Sequence, residues 1–182
     1  VNYQGTVNLL KALEPVSEHL KVFVNASTIA VYGKDEGVGI TEDTPLDANT
    51  PYGKSKVLAE KAVEEWCTER NIKYFNLRMP LVIGDAPPGN LKNILNAISK
   101  GWYLRIKNNH ARKSMVLAED IANLILHLEG KPSGAYNLTD GIHPSMEEVE
   151  NALQEATGKR IRLTFPLGFI KALALVGDCL TK

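Results

Sequence analysis

Apolar residues along the chain switch between two periods. Residues 2–14 place Val7, Leu10 and Leu13 on one helical stripe, and Pro15 closes it. Residues 21–26 are a short, nearly continuous apolar run, the pattern of a buried strand, and "STIAVYG" (27–33) then lets that strand out through two hydroxyls into a Tyr-Gly turn. The stretch from Gly33 to Pro51, rich in Gly, Asp and Pro, predicts a loop too long to be a simple connection. Residues 51–70 give the clearest helical period, with Tyr52, Lys56, Ala59, Val63 and Trp66 on one face, and "IKYFNLR" (72–78) gives the next strand. A strand, a long helix and a second strand imply a right-handed crossover and parallel pairing.

Beyond Arg78 the elements shorten. "GDAPPGN" (84–90) predicts a loop, and Leu91, Ile94, Leu95 and Ile98 a short amphipathic helix. Short strands are expected at Tyr103–Lys107 and Ser114–Leu117, a helix over 119–129, and a strand and turn in "GAYNLTDG". Ser145 and Glu148 have the spacing of a capping box for a helix running to Ala156. The change in element size sets a boundary near residues 80–90: 1–83 as one domain and 84–182 as the main part of another, with some elements returning to the first.

Composition narrows the field. The 182 residues are 44% apolar and 23% charged, with formal charge zero, enough for one substantial core and without the basic footprint of a nucleic-acid binder. The longest apolar run, "FPLGFIKALALVG", is broken by Lys171 and too short to span a bilayer, so no membrane partner is expected. Cys67 and Cys179 form neither a disulfide framework nor a metal motif, which points to a reducing cytoplasm. The histidines at 19, 110, 127 and 143 have no ligand spacing, and no metal is expected. The chain opens at Val1 without an initiator Met or a signal peptide, the pattern of a fragment.

Candidate chemistry centres on Tyr52 and Lys56. A phenol ordinarily titrates near pH 10, and an ammonium one helical turn away favours its phenolate. With a hydroxyl such as Thr28 at a neighbouring strand end, such a pair makes a proton-transfer site beside an alcohol or ketone. Spacing alone is weak support. Six tyrosines and fifteen lysines in 182 residues give a Tyr-x-x-x-Lys by chance in about every second chain of this composition. Indeed, Tyr103 and Lys107 repeat it. That second pair lies in an alternating segment, where four residues of strand hold the two groups ~13 Å apart. Helical context distinguishes only the first.

The motifs "VNYQGTVNLL", "VFVNASTIAVYG", "TPYGKSKVLAE", "LRMPLVIG", "PGNL" and "RKSMVLAEDIA", in that order, resemble the extended short-chain dehydrogenase/reductases, in particular the NAD-dependent nucleotide-sugar epimerases, dehydratases and ketoreductases. The resemblance covers nearly the whole chain. It implies the C-terminal part of a Rossmann-type doubly wound parallel sheet plus a smaller mixed α/β substrate domain. It also makes Tyr52 the catalytic acid/base, Lys56 a ligand of the nicotinamide ribose that tunes Tyr52, and Thr28 the catalytic hydroxyl, leaving Ser27 satisfied by backbone. Pro80 would line the nicotinamide, Asn90 would contact the sugar nucleotide, and Arg112 or Lys113 would meet its diphosphate. NAD is the implied cofactor, with NADP also open, and a nucleotide sugar the substrate. A homodimer through the 51–70 helix is implied as well.

Departures sharpen the reading. Leu81 stands where many epimerases and dehydratases carry asparagine, and Ile29-Ala30 replace the Asp-Glu pair of sugar 4,6-dehydratases, so the resemblance favours 4-epimerases and 4-keto-sugar reductases. A non-catalytic dinucleotide sensor is the reading from another class. The family's glycine-rich phosphate loop belongs to an N-terminal βαβ unit that finds no counterpart here. "GKDEGVG" follows the Thr28 strand in a polar loop rather than opening a helix. By that resemblance the first half of the nucleotide-binding sheet is missing, and these residues alone would bind dinucleotide poorly.

Overall fold

The structure is a computed structural model that describes residues 1–34, 36–84 and 89–170, with Gly89 and Asn90 described by backbone alone. The chain divides into two compact units. The first comprises Val1–Val82 and Met115–Asp140, the second Ile83–Ser114 with the residues from Gly141 onward.

In the first unit α1 (Asn2–Leu13) is followed by a 3-10 turn over Glu14–His19, so Pro15 opens a second short helix as it ends the first. β1 (Val22–Thr28), α2 (Pro51–Glu69) and β2 (Lys73–Met79) form the predicted crossover. β1 and β2 pair in parallel with Ser27 opposite Arg78 and Thr28 opposite Met79, and β6 (Gly134–Asn137) joins the far side of β2, also in parallel. A second, two-stranded pair joins β3 (Leu81–Ile83) to β5 (Met115–Leu117). α4 (Ala118–Ile125) stops four residues before the expected end of that helix, where a tight turn brings Leu128 inward.

Apolar layers cover both faces of the sheet. On one, Leu10, Val63, Cys67 and Ile72 form a core with Phe23, Trp66 and Tyr74 at its edge, which seats α1 and α2. On the other, Phe75, Leu77 and Leu128 pack with Val24, Leu124 and Tyr136. Burying side chains such as Phe75 and Leu77 contributes roughly 2–3 kcal/mol apiece, and these layers fix the carboxyl ends of β1, β2 and β6 at one edge.

The second unit holds α3 (Gly89–Lys100), β4 (Leu104–Ile106), α5 (Met146–Thr157) and β7 (Leu163–Phe165), with β4 and β7 parallel. The capping box is present as expected: Ser145 accepts from the Glu148 N–H, and Glu148 accepts from the Ser145 N–H at 2.7 Å. β3 and β7 were not legible in the apolar pattern. Residues 171–182, including Cys179 and much of the C-terminal apolar run, lie outside the described residues, as does most of the 84–90 loop. Among the described residues, no helix is long and apolar enough to cross a membrane, and no His, Cys, Asp or Glu cluster could hold a metal ion.

Candidate active site

Thr28 ends β1 in extended geometry (φ −149°, ψ 150°) and caps a 3-10 turn over Ile29–Tyr32, its Oγ1 accepting from the Ala30 N–H at 3.3 Å. The cap uses an oxygen lone pair, leaving the Thr28 O–H proton available to donate. Gly33 then turns the chain with φ +63°, and a Cβ there would fall 1.6 Å from the Asp47 carbonyl oxygen. Asn49 closes the same contact by donating to the Gly33 carbonyl at 3.2 Å. The long 33–51 loop is thereby held against the turn that follows Thr28.

The loop delivers the chain into α2. Thr50 caps the helix by accepting from the Gly53 N–H at 3.0 Å, and Pro51 occupies its first turn. Gly53 lets that turn settle on the 3-10 segment, because a Cβ on it would lie 2.6 Å from the Ala30 carbonyl oxygen. Tyr52 therefore stands beside the strand end that carries Thr28.

Lys56, one turn further, reaches to β1 and donates from Nζ to the Ala26 carbonyl at 2.7 Å, two residues before Thr28. Its ammonium lies 6.0 Å from the centre of the Tyr52 ring. Burial holds Lys56 below the ordinary lysine value, and the Glu60 carboxylate pulls in the opposite direction. Tyr52 is 49% exposed, and among the described residues its hydroxyl has no hydrogen-bond partner. The helical face is thus apolar and buried at Ala59 and Val63 but opens to solvent at its first turn.

Pro80 follows Met79, the register partner of Thr28, and so shares the carboxyl edge of the sheet. That edge is where open α/β sheets bind ligands. Thr28, Tyr52, Lys56 and Pro80 all belong to the first unit. Arg112 and Lys113 lie in the second, where Arg112 donates to the His143 carbonyl at 2.7 Å and bridges Ser145, while Lys113 is exposed. Asn90 sits in the first turn of α3, also in the second unit.

Ser27 departs from expectation: its hydroxyl donates to Glu60 Oε1 rather than to backbone. Glu60 is 3% exposed and paired with Arg78, whose Nη2 lies 2.8 Å from Oε2. Arg78 also donates to the Tyr32 hydroxyl at 2.9 Å, and Tyr32 donates to Asn137 Oδ1 at 2.7 Å. Sequence reasoning passed over this cluster. Its signal was the alternation of Asn25 and Ser27, and of Asn76 and Arg78, inside strands otherwise buried, which sets four polar groups on one face of the sheet.

Two surface concavities adjoin α2, one of about 660 Å³ lined by Lys61, Glu64 and Thr68 and one of about 340 Å³ lined by Leu46, Lys54 and Leu58. Neither includes Thr28, Tyr52 or Lys56.

The model of the NAD dependent epimerase/dehydratase family matches residues 1–138. The chain belongs to this family. It is 31% identical over 180 residues, 93% of this chain, to N-acetyl-alpha-D-glucosaminyl-diphospho-ditrans,octacis-undecaprenol 4-epimerase of Escherichia coli O157:H7, and covers 53% of that protein. To UDP-glucose 4-epimerase of Dictyostelium discoideum it is 32% identical over 187 residues, 88% of this chain and 54% of the relative. The chain thus spans about half the length of these curated relatives. Among solved structures, the UDP-glucose 4-epimerase of Thermotoga maritima with UDP-glucose superposes with TM-score 0.73 at 22% identity, over 91% of this chain and 56% of that one. The Thermus thermophilus UDP-glucose 4-epimerase with NAD gives TM-score 0.72 at 25% identity, over 91% and 57%. The fold is accordingly α/β with a parallel sheet of the dinucleotide-binding type.

The donor set suits one end of such a dinucleotide. An ammonium has three N–H donors, and Lys56 gives one to Ala26, which leaves two for ribose hydroxyls. A pyrophosphate calls for backbone N–H groups at a glycine turn opening a helix. α2 opens instead on Thr50-Pro51, with Gly53 packed against Ala30 and Ala48, so its first turn does not offer that cradle.

Proposed function

We propose that the full-length protein is an NAD(P)-dependent epimerase that inverts C4 of a nucleotide sugar, with Tyr52, Lys56 and Thr28 as its proton-transfer site. The observation that carries this reading is the Lys56 ammonium anchored on the Ala26 carbonyl, two residues before the capping hydroxyl of Thr28 and one helical turn from a half-exposed Tyr52. The relatives named above, described as 4-epimerases, support it.

In this scheme a bound nicotinamide, held by Lys56 and Pro80, would supply reversible hydride acceptance at C4, with return to the opposite face of the keto sugar giving the inversion. The chain's own groups handle the proton. Tyr52 removes it from the 4-hydroxyl and later gives it back to the same oxygen, while the Thr28 O–H donates a hydrogen bond to that oxygen as negative charge gathers there. Lys56 favours the anionic phenol oxygen left on Tyr52 and offers its remaining N–H donors to the cofactor ribose. Pro80 would line the nicotinamide; in the second unit, Asn90 and Arg112 or Lys113 are the substrate contacts that the family resemblance implies. A homodimer through α2, whose Leu58 is 47% exposed, belongs to the same proposal.

The test is to incubate the full-length protein with UDP-glucose and NAD and to follow the 4-epimer by anion-exchange chromatography. Epimer formed without net change in NADH supports the reading. Net consumption of NADPH with a 4-keto nucleotide sugar, and no epimer, would replace it with a reductase that uses the same three residues. NAD bound without any turnover would replace it with a sensor.

A further inference from the structure

Glu60 sits one helical turn beyond Lys56, almost wholly buried. A carboxylate at that depth is costly unless its oxygens are paired and hydrogen-bonded. Both strands beneath α2 supply the partners. From β1, Ser27 donates to Oε1. From β2, Arg78 presents its fork, with Nε 3.2 Å from each oxygen and Nη2 2.8 Å from Oε2. Ser27 and Arg78 are register partners, so one carboxylate fastens the helix to two strands at the residue next to Thr28. Arg78 is anchored in turn: its Nη1 donates to Tyr32, and its guanidinium lies 5.1 Å from the centre of that ring.

None of these groups transfers a proton in the reaction proposed above. Nor does stability alone account for them, since a well-packed apolar filling of similar volume commonly does as well as a buried ion pair. What the cluster adds to the packing of α2 is a directional lock on its rotation. A helix held by one side chain to two strands cannot turn about its axis, and Lys56 lies on the same stripe one turn away.

We propose that Ser27, Glu60 and Arg78 are positioning residues for Lys56 and Tyr52: they fix the rotation of α2 at the carboxyl ends of β1 and β2 and balance the charge behind the Lys56 ammonium. The inference rests on the proposed function for its consequence in turnover, but its electrostatic half can be read without it. Among the described residues, the groups that act on Lys56 are Tyr52, whose ring centre lies 6.0 Å from the ammonium, and Glu60, both on α2, and the Ala26 carbonyl of β1; Arg78 of β2 and, through it, Tyr32 of the 3-10 turn meet Lys56 by way of Glu60. Glu60 acts on Lys56 and is itself offset by Arg78.

The experiment follows Lys56 titration in the full-length protein by NMR of 13Cε-labelled lysine, assigned through Lys56→Arg. Glu60→Gln is expected to lower the pH at which Lys56 titrates, and Arg78→Met to raise it, each by roughly half a pH unit or more. The double variant Glu60→Gln/Arg78→Met is expected to return it close to the wild-type value. Opposed shifts that cancel show that the pair sets the charge felt by the Lys56 ammonium. Unchanged Lys56 titration in both single variants would overturn the proposal. If either single variant does not fold, Ser27→Ala and the double variant decide: kcat is expected to fall by about tenfold at unchanged KM, and wild-type kcat in both would overturn it. The two readings fail separately. A wild-type protein that forms no epimer removes the proposed function, while the opposed Lys56 shifts would still stand.

Discussion

The chain contains two Tyr-x-x-x-Lys pairs, and the same spacing puts them in different secondary structure. Tyr52 and Lys56 lie on the first turns of α2, which bring ammonium and ring within 6.0 Å and leave the phenol half open to solvent. Tyr103 precedes β4 and Lys107 follows it, so the pair straddles an extended segment. There the Tyr103 hydroxyl is committed to buried Glu150 at 2.7 Å, and burial, followed by that bond, pushes it well above the ordinary phenol range. Lys107 is exposed, and its backbone N–H pairs with the Phe165 carbonyl. A motif carries chemistry only when its secondary structure turns it into a place.

Each pair also stands near a buried carboxylate–arginine couple, and these differ as instructively. Glu60–Arg78 lies in the first unit beneath the strand end that bears Thr28. Glu150–Arg105, 2.7 Å apart, ties α5 to β4 in the second unit, with Asn151 bound to the same arginine at 2.8 Å. A buried ion pair is therefore no sign of a site by itself. What distinguishes the first is the Thr28 hydroxyl and the Lys56 ammonium on the neighbouring residues.

The contrast can be broken in several ways. The largest effect is expected at the lysines: Lys56→Met should lower kcat by roughly 10²-fold or more, whereas Lys107→Met should leave it within about twofold, measured by epimer formation in the full-length protein. Next, Glu150→Gln strands Arg105 in the interior and should destabilise the second unit by about 3 kcal/mol in urea unfolding, with kcat of the still-folded protein unchanged. A smaller effect tests the cap of α5. Ser145→Ala should cost about 1 kcal/mol and weaken a pH dependence. Glu148 is held below the usual carboxylate range, first by the Ser145 N–H and then by its hydroxyl. A depressed folded value means stability that is complete above the unfolded carboxylate range and lost as pH falls through the folded one. That acid-side loss should be shallower in Ser145→Ala.

The sequence carried the framework because its signals were local. Pro51 and Thr50 announce the start of α2, the 3.6 period of Ala59 and Val63 gives its buried face, and Ser145 with Glu148 gives the start of α5. That β1 would end at Thr28 and that Tyr52 and Lys56 would share the first turns of α2 was legible for the same reason. What stayed hidden depends on groups far apart in the chain. That Ser27 would meet Glu60, and Tyr32 meet Asn137 across more than a hundred residues, follows from parallel register, which no local pattern prints. β3 and β7 are three residues each, too short for an alternation to register.

The most direct test of the contrast is kcat for Tyr52→Phe and Tyr103→Phe side by side in the full-length protein. Each removes one hydroxyl and keeps the ring. The account predicts that Tyr52→Phe folds normally and loses turnover by about 10²–10⁴-fold, while Tyr103→Phe keeps kcat and loses only stability. Near wild-type turnover in Tyr52→Phe would contradict it.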